Sequence, residues 1–256
     1  LAIGDALKGP RIPGPPTRAT ARVVVHIDQD MASVSIDSSG ELLHRRGYRR
    51  QTAKAPIREN LAAAILRLAD WQPGEVLVDP MCGSGTFPIE AAMKTLGVPP
   101  GARRGFAFEH WPSFDKAAWR RVTNETLARP PAAAIWGSDR NEGGVGASRS
   151  NGQRARVDKA ITWRCVELAD LPVPETPGLL VLNPPYGFRV GGGGVPRKLF
   201  GHIGRVLREQ WPGWRVAILV PEDDLLTRLR LELDLVTHFK NGGIRVGLAV
   251  GRTTAP

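Results

Sequence analysis

The sequence predicts an α/β fold: a doubly wound, mostly parallel sheet whose last strand runs antiparallel. Three observations carry that prediction. Short apolar runs recur from Glu75 onward and alternate with helical patterns, as strands flanked by crossover helices do. The first three of these runs end near acidic residues, which the topology collects along one sheet edge. The last two runs are joined only by Asn241-Gly242-Gly243, a hairpin signal that reverses the final strand.

The elements follow in order. Residues 1–22 are rich in Pro, Gly and Arg, and Pro10, Pro13, Pro15 and Pro16 exclude helix. Val23–Ile27 and Ala32–Asp37 are β-like, and Ser38-Ser39-Gly40 supplies a turn. Two short strands cannot bury a core of their own, so this stretch is expected to be the end of a domain whose beginning lies elsewhere. Ile57–Leu68 has the apolar spacing of an amphipathic helix. The expected strands are Glu75–Asp79, Ala134–Asp139, Ile161–Val166, Leu179–Asn183, Arg215–Val220, Leu235–Phe239 and Ile244–Val250. Helical patterns cover Thr86–Lys94, Leu199–Gln210 and Asp223–Leu231. A polar, glycine-bearing helix candidate follows Asp139, and Gly191–Gly194 reads as a loop.

The balance of 35 Lys+Arg against 25 Asp+Glu leaves a net charge of +10, which favours a polyanionic partner. Two cysteines, Cys82 and Cys165, make neither a disulfide framework nor a zinc site, and a reducing, cytoplasmic location is expected. No stretch is apolar enough to cross a bilayer, and no membrane partner is expected. The histidines lack ligand spacing, so no metal is expected.

Two loops carry the chemistry. After the first strand, Val78–Thr86 (VDPMCGSGT) has Gly83 and Gly85 where a ligand needs close backbone approach, with Ser84 or Thr86 available to cap the next helix. It lacks the Gly-Lys-Ser/Thr of a phosphate loop. Asp79 at the strand end suits a ligand bearing an ammonium group. Asp139, closing the second strand, suits the two hydroxyls of a ribose. Glu167 or Asp170, after the third, can accept from an adenine amine. After the fourth strand stands Asn183-Pro184-Pro185-Tyr186-Gly187. Its prolines remove two N–H donors, so the Asn183 oxygen and the Pro184 carbonyl can both accept from one exocyclic NH2, while the Tyr186 ring offers a face for a base. Stacking needs the ring rather than the hydroxyl.

Leu43–Arg49 (LHRRGYR), Ala55–Ala62 (APIRENLA), Asp79–Thr86 (DPMCGSGT), Asn183–Gly187 (NPPYG) and Lys240-Asn241-Gly242 together resemble the catalytic domain of the THUMP-associated RNA methyltransferases. Within that group the chain is most similar to the bacterial large-subunit ribosomal RNA guanine-N2 methyltransferases. The resemblance implies a Rossmann-like class I methyltransferase domain over 42–256 with a seven-stranded sheet. Residues 1–41 would be linker and the C-terminal remnant of a THUMP-like RNA-binding region. It implies S-adenosylmethionine as methyl donor and the N2 amine of a guanine in structured RNA as acceptor, ribosomal RNA ahead of transfer RNA. With that donor, the cofactor set is Asp79, Pro80, Met81, Cys82, Gly83, Ser84, Gly85, Thr86, Asp139, Arg140, Glu167 and Asn183. The catalytic loop is Asn183, Pro184, Pro185 and Tyr186. Arg45, Arg46, Arg49 and Arg50 are expected on RNA phosphates, whereas Arg58 has Glu59 or Glu90 as a nearby partner. Three alternatives stand beside this reading: transfer to a tRNA guanine, transfer to adenine N6 in DNA, and a noncatalytic RNA-binding module.

Overall fold

A computed structural model describes residues 22–50, 57–124, 133–186 and 195–254. The proline-rich start, Ala55-Pro56, Gly187 and Gly191–Gly194 lie outside the described residues. The chain divides into two compact units, one holding the N-terminal strands together with Gly105–Trp119, the other running from Leu43 to Arg104 and from Arg120 onward.

In the first unit β1 (Arg22–Asp28) and β2 (Met31–Asp37) pair antiparallel, with Val25 opposite Val34. Gln29 and Asp30 both have positive φ, 44° and 63°, as a two-residue turn of this hand requires. Gly105–Trp119 joins this unit, where the sequence reading placed it with the catalytic domain. Its aromatic side chains cluster, Phe108 meeting Trp119 edge-on at 5.0 Å, and the Phe108 N–H donates to the Ser38 carbonyl at 3.2 Å.

The second unit contains α1 (Glu59–Leu68), β3 (Leu77–Asp79), α2 (Thr86–Thr95), β4 (Ile135–Asp139), α4 (Glu142–Ala155), β5 (Ile161–Cys165), β6 (Leu179–Leu182), α5 (Val195–Gln210), β7 (Arg215–Val220), α6 (Leu225–Leu229), β8 (Glu232–Asn241) and β9 (Ile244–Arg252); α3 (Lys116–Asn124) precedes β4. Seven strands form one sheet in the order β5-β4-β3-β6-β7-β9-β8. The pairs from β5 through β7 are parallel, and β9 runs antiparallel to both β7 and β8. The reversal follows from Gly242 and Gly243, whose φ values of 58° and 88° close a two-residue hairpin.

Strand residues alternate between two cores. Leu77, Leu179, Val181, Ala217 and Leu219 face the layer of α1, α2 and α4, joined by Ile65, Phe87 and Ala155. Val78, Leu180, Leu182, Val216 and Ile218 face α5 and α6, joined by Phe200, Ile203 and Leu229. Trp211 and Trp214, both fully buried and edge-on at 4.9 Å, anchor the second core. The sheet order reverses at β3, with β4 on one side and β6 on the other, so the loops after these strands meet at one crevice.

Candidate active site

The crevice is built by the carboxyl ends of β3, β4, β5 and β6, which deliver Asp79, Asp139, Glu167 and Asn183. Asp79 is 1% exposed, and its Oδ1 accepts the Met81 N–H at 3.1 Å. Burial pushes its carboxyl well above the usual carboxylate range, the Met81 bond works the other way, and the negative Asp139 adds to the rise. A cation brought beside Asp79 would reverse that cost.

Asp139 has a second role that its position at the strand end does not announce. Its Oδ2 accepts the Gly83 N–H and its Oδ1 the Asn141 N–H, both at 2.9 Å. Each oxygen keeps a lone pair for a further donor, so the carboxylate can still receive two ribose hydroxyls. Glu167 is exposed and precedes a short helical turn, Leu168–Asp170; Asp170 and Arg140 are exposed as well.

The loop Asp79–Thr86 is held from α4. Ser148 Oγ bonds the Gly83 carbonyl at 2.9 Å, and Asn151 Nδ2 bonds the Ser84 carbonyl at 3.0 Å. Gly83 and Gly85 have φ of 54° and 81°, the left-handed region that favours glycine. Neither Ser84 nor Thr86 caps α2: the cap is Gly85, with no side-chain bond. Ser84 is turned into the interior, where its carbonyl serves Asn151. Cys82 is buried, with its Sγ 3.5 Å from Ser148 Oγ, and packs beneath the loop. Met81 is half-buried and Pro80 buried. A close-approach glycine loop, a buried carboxylate and a strand-end carboxylate with spare lone pairs fit an amino-acid-bearing nucleoside.

At β6, Tyr186 is 4% exposed and its hydroxyl donates to Asn183 Oδ1 at 2.7 Å. Asn241, at the end of β8 and 4% exposed, donates from Nδ2 to the Tyr186 hydroxyl at 3.4 Å. The 2.7 Å link suits O–H···O, which commits the hydroxyl proton to Asn183 and makes the tyrosine oxygen the acceptor for Asn241. Pro184 is buried and Pro185 exposed.

The arginine cluster divides. Arg46 is buried and pairs with Glu90 at 3.3 Å; Arg49 pairs with Glu59 at 3.2 Å. The expectation that these two meet RNA phosphates is therefore corrected, because their charges are spent on α1 and α2. Those are the same two carboxylates that the sequence reading offered to Arg58, which is exposed. Gly47 sets the geometry: its φ is 90°, and a side-chain carbon there would stand 2.0 Å from the Arg103 carbonyl oxygen. Tyr48, fully buried, donates to Glu90 at 2.7 Å, and Arg154 on α4 donates to the Tyr48 carbonyl at 2.8 Å. Arg45 and Arg50 are exposed.

Residues 46–248 match the RMKL-like methyltransferase domain. The chain belongs to that family. A candidate RNA methyltransferase of Synechocystis sp., slr0064, is 37% identical over 86% of this chain and 58% of its own length. Among solved structures, SMU.472, a candidate methyltransferase complexed with SAH, superposes with a TM-score of 0.83 at 33% identity, covering 92% of this chain and 62% of that one. A Listeria monocytogenes protein described as a predicted N6-adenine-specific DNA methylase gives 0.77 at 32%, covering 91% and 60%. The chain thus spans about three fifths of the length of these relatives.

Sequence reasoning about this RMKL-like domain missed Ser148, Asn151 and Asn241. Asn241 stood in a recognised motif without a role; Ser148 and Asn151 sit three apart on the buried face of α4, beside Val145 and Ala155, a placement that their polarity hides in the sequence. Among the described residues, no group of three or more His, Cys, Asp or Glu could hold a metal ion, and no helix is long and apolar enough to cross a membrane.

Proposed function

We propose that this chain uses S-adenosylmethionine to methylate the exocyclic N2 amine of a guanine in structured RNA, ribosomal RNA ahead of transfer RNA. The observation that carries the proposal is Asn183, whose oxygen is held by Tyr186 at the crevice edge beside the Asp79 loop. S-adenosylmethionine, when bound, supplies an electrophilic sulfonium methyl. Asp79 faces the ammonium of its methionine part, with the Gly83–Gly85 backbone alongside. Asp139 accepts from the ribose, and Glu167 from the adenine amine. Asn183 Oδ1 and the Pro184 carbonyl take the two hydrogens of the target amine, so its lone pair points along the line of transfer. A nitrogen–carbon bond forms as the sulfur–carbon bond breaks. The amine becomes acidic only then, so no strong base is required beforehand. Because the reacting base must leave its stack, the recognised form is a flipped nucleotide.

Adenine N6 of DNA is the second reading, favoured by the Listeria structure's description and by a loop that serves any exocyclic amine. Incubation with methyl-labelled cofactor and ribosomal RNA, transfer RNA or DNA, followed by digestion, separates the two: N2-methylguanosine supports the proposal, and labelled N6-methyladenine in DNA overturns it.

A further inference from the structure

α5 and α6 lie side by side on the face of the sheet opposite α1 and α2, and they bound a cavity of about 430 Å³. Five of its lining residues are arginines: Arg197, Arg205, Arg208, Arg228 and Arg230. On α5 the spacing of Arg197, Gly201, Arg205 and Arg208 puts them on one stripe, ~16 Å long at the helical rise. Gly201 leaves the middle of the stripe clear, since a side-chain carbon built there meets nothing within 4 Å.

The packing of the two helices explains why the cations point outward. Gly204 lets α5 approach the end of α6 so closely that a side-chain carbon would stand 2.0 Å from the Leu229 carbonyl oxygen. Arg208 donates to that carbonyl and to the Arg230 carbonyl, satisfying the last turn of α6. Arg228 and Arg230 then flank the cavity, both exposed, and neither has an ion-pair partner among the described residues. Arg197 and Arg205 do have partners, Asp224 at 3.0 Å and Glu209 at 2.9 Å, but all four side chains are about half exposed, where such pairs hold weakly and exchange readily for a stronger anion.

We infer that this arginine-lined groove is a docking site for the phosphodiester backbone of the RNA substrate. The inference rests on the RNA reading proposed above. Guanidinium forks match phosphate oxygens bidentately, and two carboxylates against five guanidiniums leave the groove strongly positive. Its position supports the assignment. α5 follows the Asn183 loop, so its Arg197 end lies at the carboxyl edge of the sheet, where the target base would be held. The stripe continues from there down the outer face, the path of a strand leaving the crevice.

The test compares the 256-residue wild type with Arg228→Glu/Arg230→Glu, the neutral Arg228→Gln/Arg230→Gln and the charge-keeping Arg228→Lys/Arg230→Lys. Binding of a fluorescein-labelled ribosomal RNA stem-loop is followed by anisotropy from about 50 to about 200 mM salt, beside steady-state methyl transfer. For two lost phosphate contacts the salt slope of log affinity becomes shallower by ~1.4–1.8 in the Gln and Glu variants. KM for RNA rises, while kcat at saturating RNA and cofactor affinity stay at the wild-type level; the Lys variant restores most of the slope. An unchanged slope and KM in both Gln and Glu variants, with a wild type that does methylate RNA, overturns the groove alone. A wild type that methylates only DNA overturns the RNA reading, and the groove's assignment with it. Arginine-dependent capture of phosphatidylglycerol vesicles with no effect of the substitutions on RNA also overturns it.

Discussion

The Tyr186 hydroxyl donates to Asn183 Oδ1 at 2.7 Å and its ring is buried, so this residue fixes the amide that would hold the reacting nitrogen rather than offering an open stacking face. Losing one such bond is worth about 1 kcal/mol, or roughly a fivefold rate loss. Tyr186→Phe is therefore expected to lower kcat about fivefold with unchanged cofactor affinity, and Tyr186→Ala by much more. Asn183→Ala should lower transfer roughly 100-fold, also without affecting cofactor affinity. Single-turnover rates beside calorimetric cofactor titrations measure both; a Tyr186→Phe rate equal to wild type would reduce the hydroxyl to packing.

Asp79 gives cofactor binding a pH dependence. Its buried carboxyl takes up a proton more readily than an ordinary aspartate, whereas an ammonium-bearing ligand needs it ionised. Affinity should weaken as pH falls through the raised pKa, with proton release on binding visible as a buffer-dependent heat. Asp79→Ala and Asp139→Ala should each cost about 1.5–3 kcal/mol of cofactor affinity. They part company in the free protein: Asp139→Ala also releases Gly83 and Asn141 and should lower Tm, whereas Asp79→Asn removes a strained charge and should not.

Glu90 couples stability to pH in a separate window. Burial raises its carboxyl from 4.5 to about 7, against the pull of Arg46 and Tyr48. The folded state thus keeps a proton that the unfolded chain releases, so this contribution is fully present below about pH 4.5 and is lost as pH rises to about 7. Denaturant titrations of wild type and Glu90→Gln should diverge in slope over that interval only. Parallel curves would show that Glu90 is ionised throughout.

Glycines in α4 should separate sharply. A side-chain carbon at Gly144 would stand 3.2 Å from the Gly83 carbonyl oxygen, whereas at Gly146 it meets nothing within 4 Å. Gly146→Ala should stabilise by ~0.5–1 kcal/mol through helix propensity. Gly144→Ala should instead weaken cofactor binding by displacing the loop. Equal thermal shifts for the two, with equal cofactor affinity, would mean that α4 and the loop are not in the contact described.

Much of this was legible in the sequence because it depends on local pattern. The continuous apolar runs Leu179–Leu182 and Val216–Val220 are dictated by a core on each face of the sheet, and the Gly242-Gly243 hairpin by its own backbone requirement. Asn183 and Asp79 were legible because a strand end announces itself. The fate of Arg46 and Arg49 was not, since their partners are 44 and 10 residues away and only the fold brings Glu90 and Glu59 beneath them. Asn241 was out of reach for the same reason: its link to Tyr186 spans 55 residues and exists only because β9 pairs with β7, which puts the β8–β9 turn at the same sheet edge as the loop after β6. Motif recognition marked Leu43–Arg49 as special, but charge alone assigned it to RNA when Tyr48 and Gly47 tie it into the interior.

α4 has Gly143, Gly144, Gly146 and Gly152 among its fourteen residues, and each interior glycine costs roughly 1 kcal/mol of helix propensity. Such a helix does not persist on its own account; it is ordered by its buried face, where Val145 and Ala155 pack while Ser148 and Asn151 grip the loop. Loop and helix therefore form one cooperative unit softer than the sheet beneath it, and the amide hydrogens of α4 should exchange with solvent early and slow down together when the crevice is filled. Breathing of this kind would let a spent ligand leave by loosening one rim of the crevice while every strand stays in register.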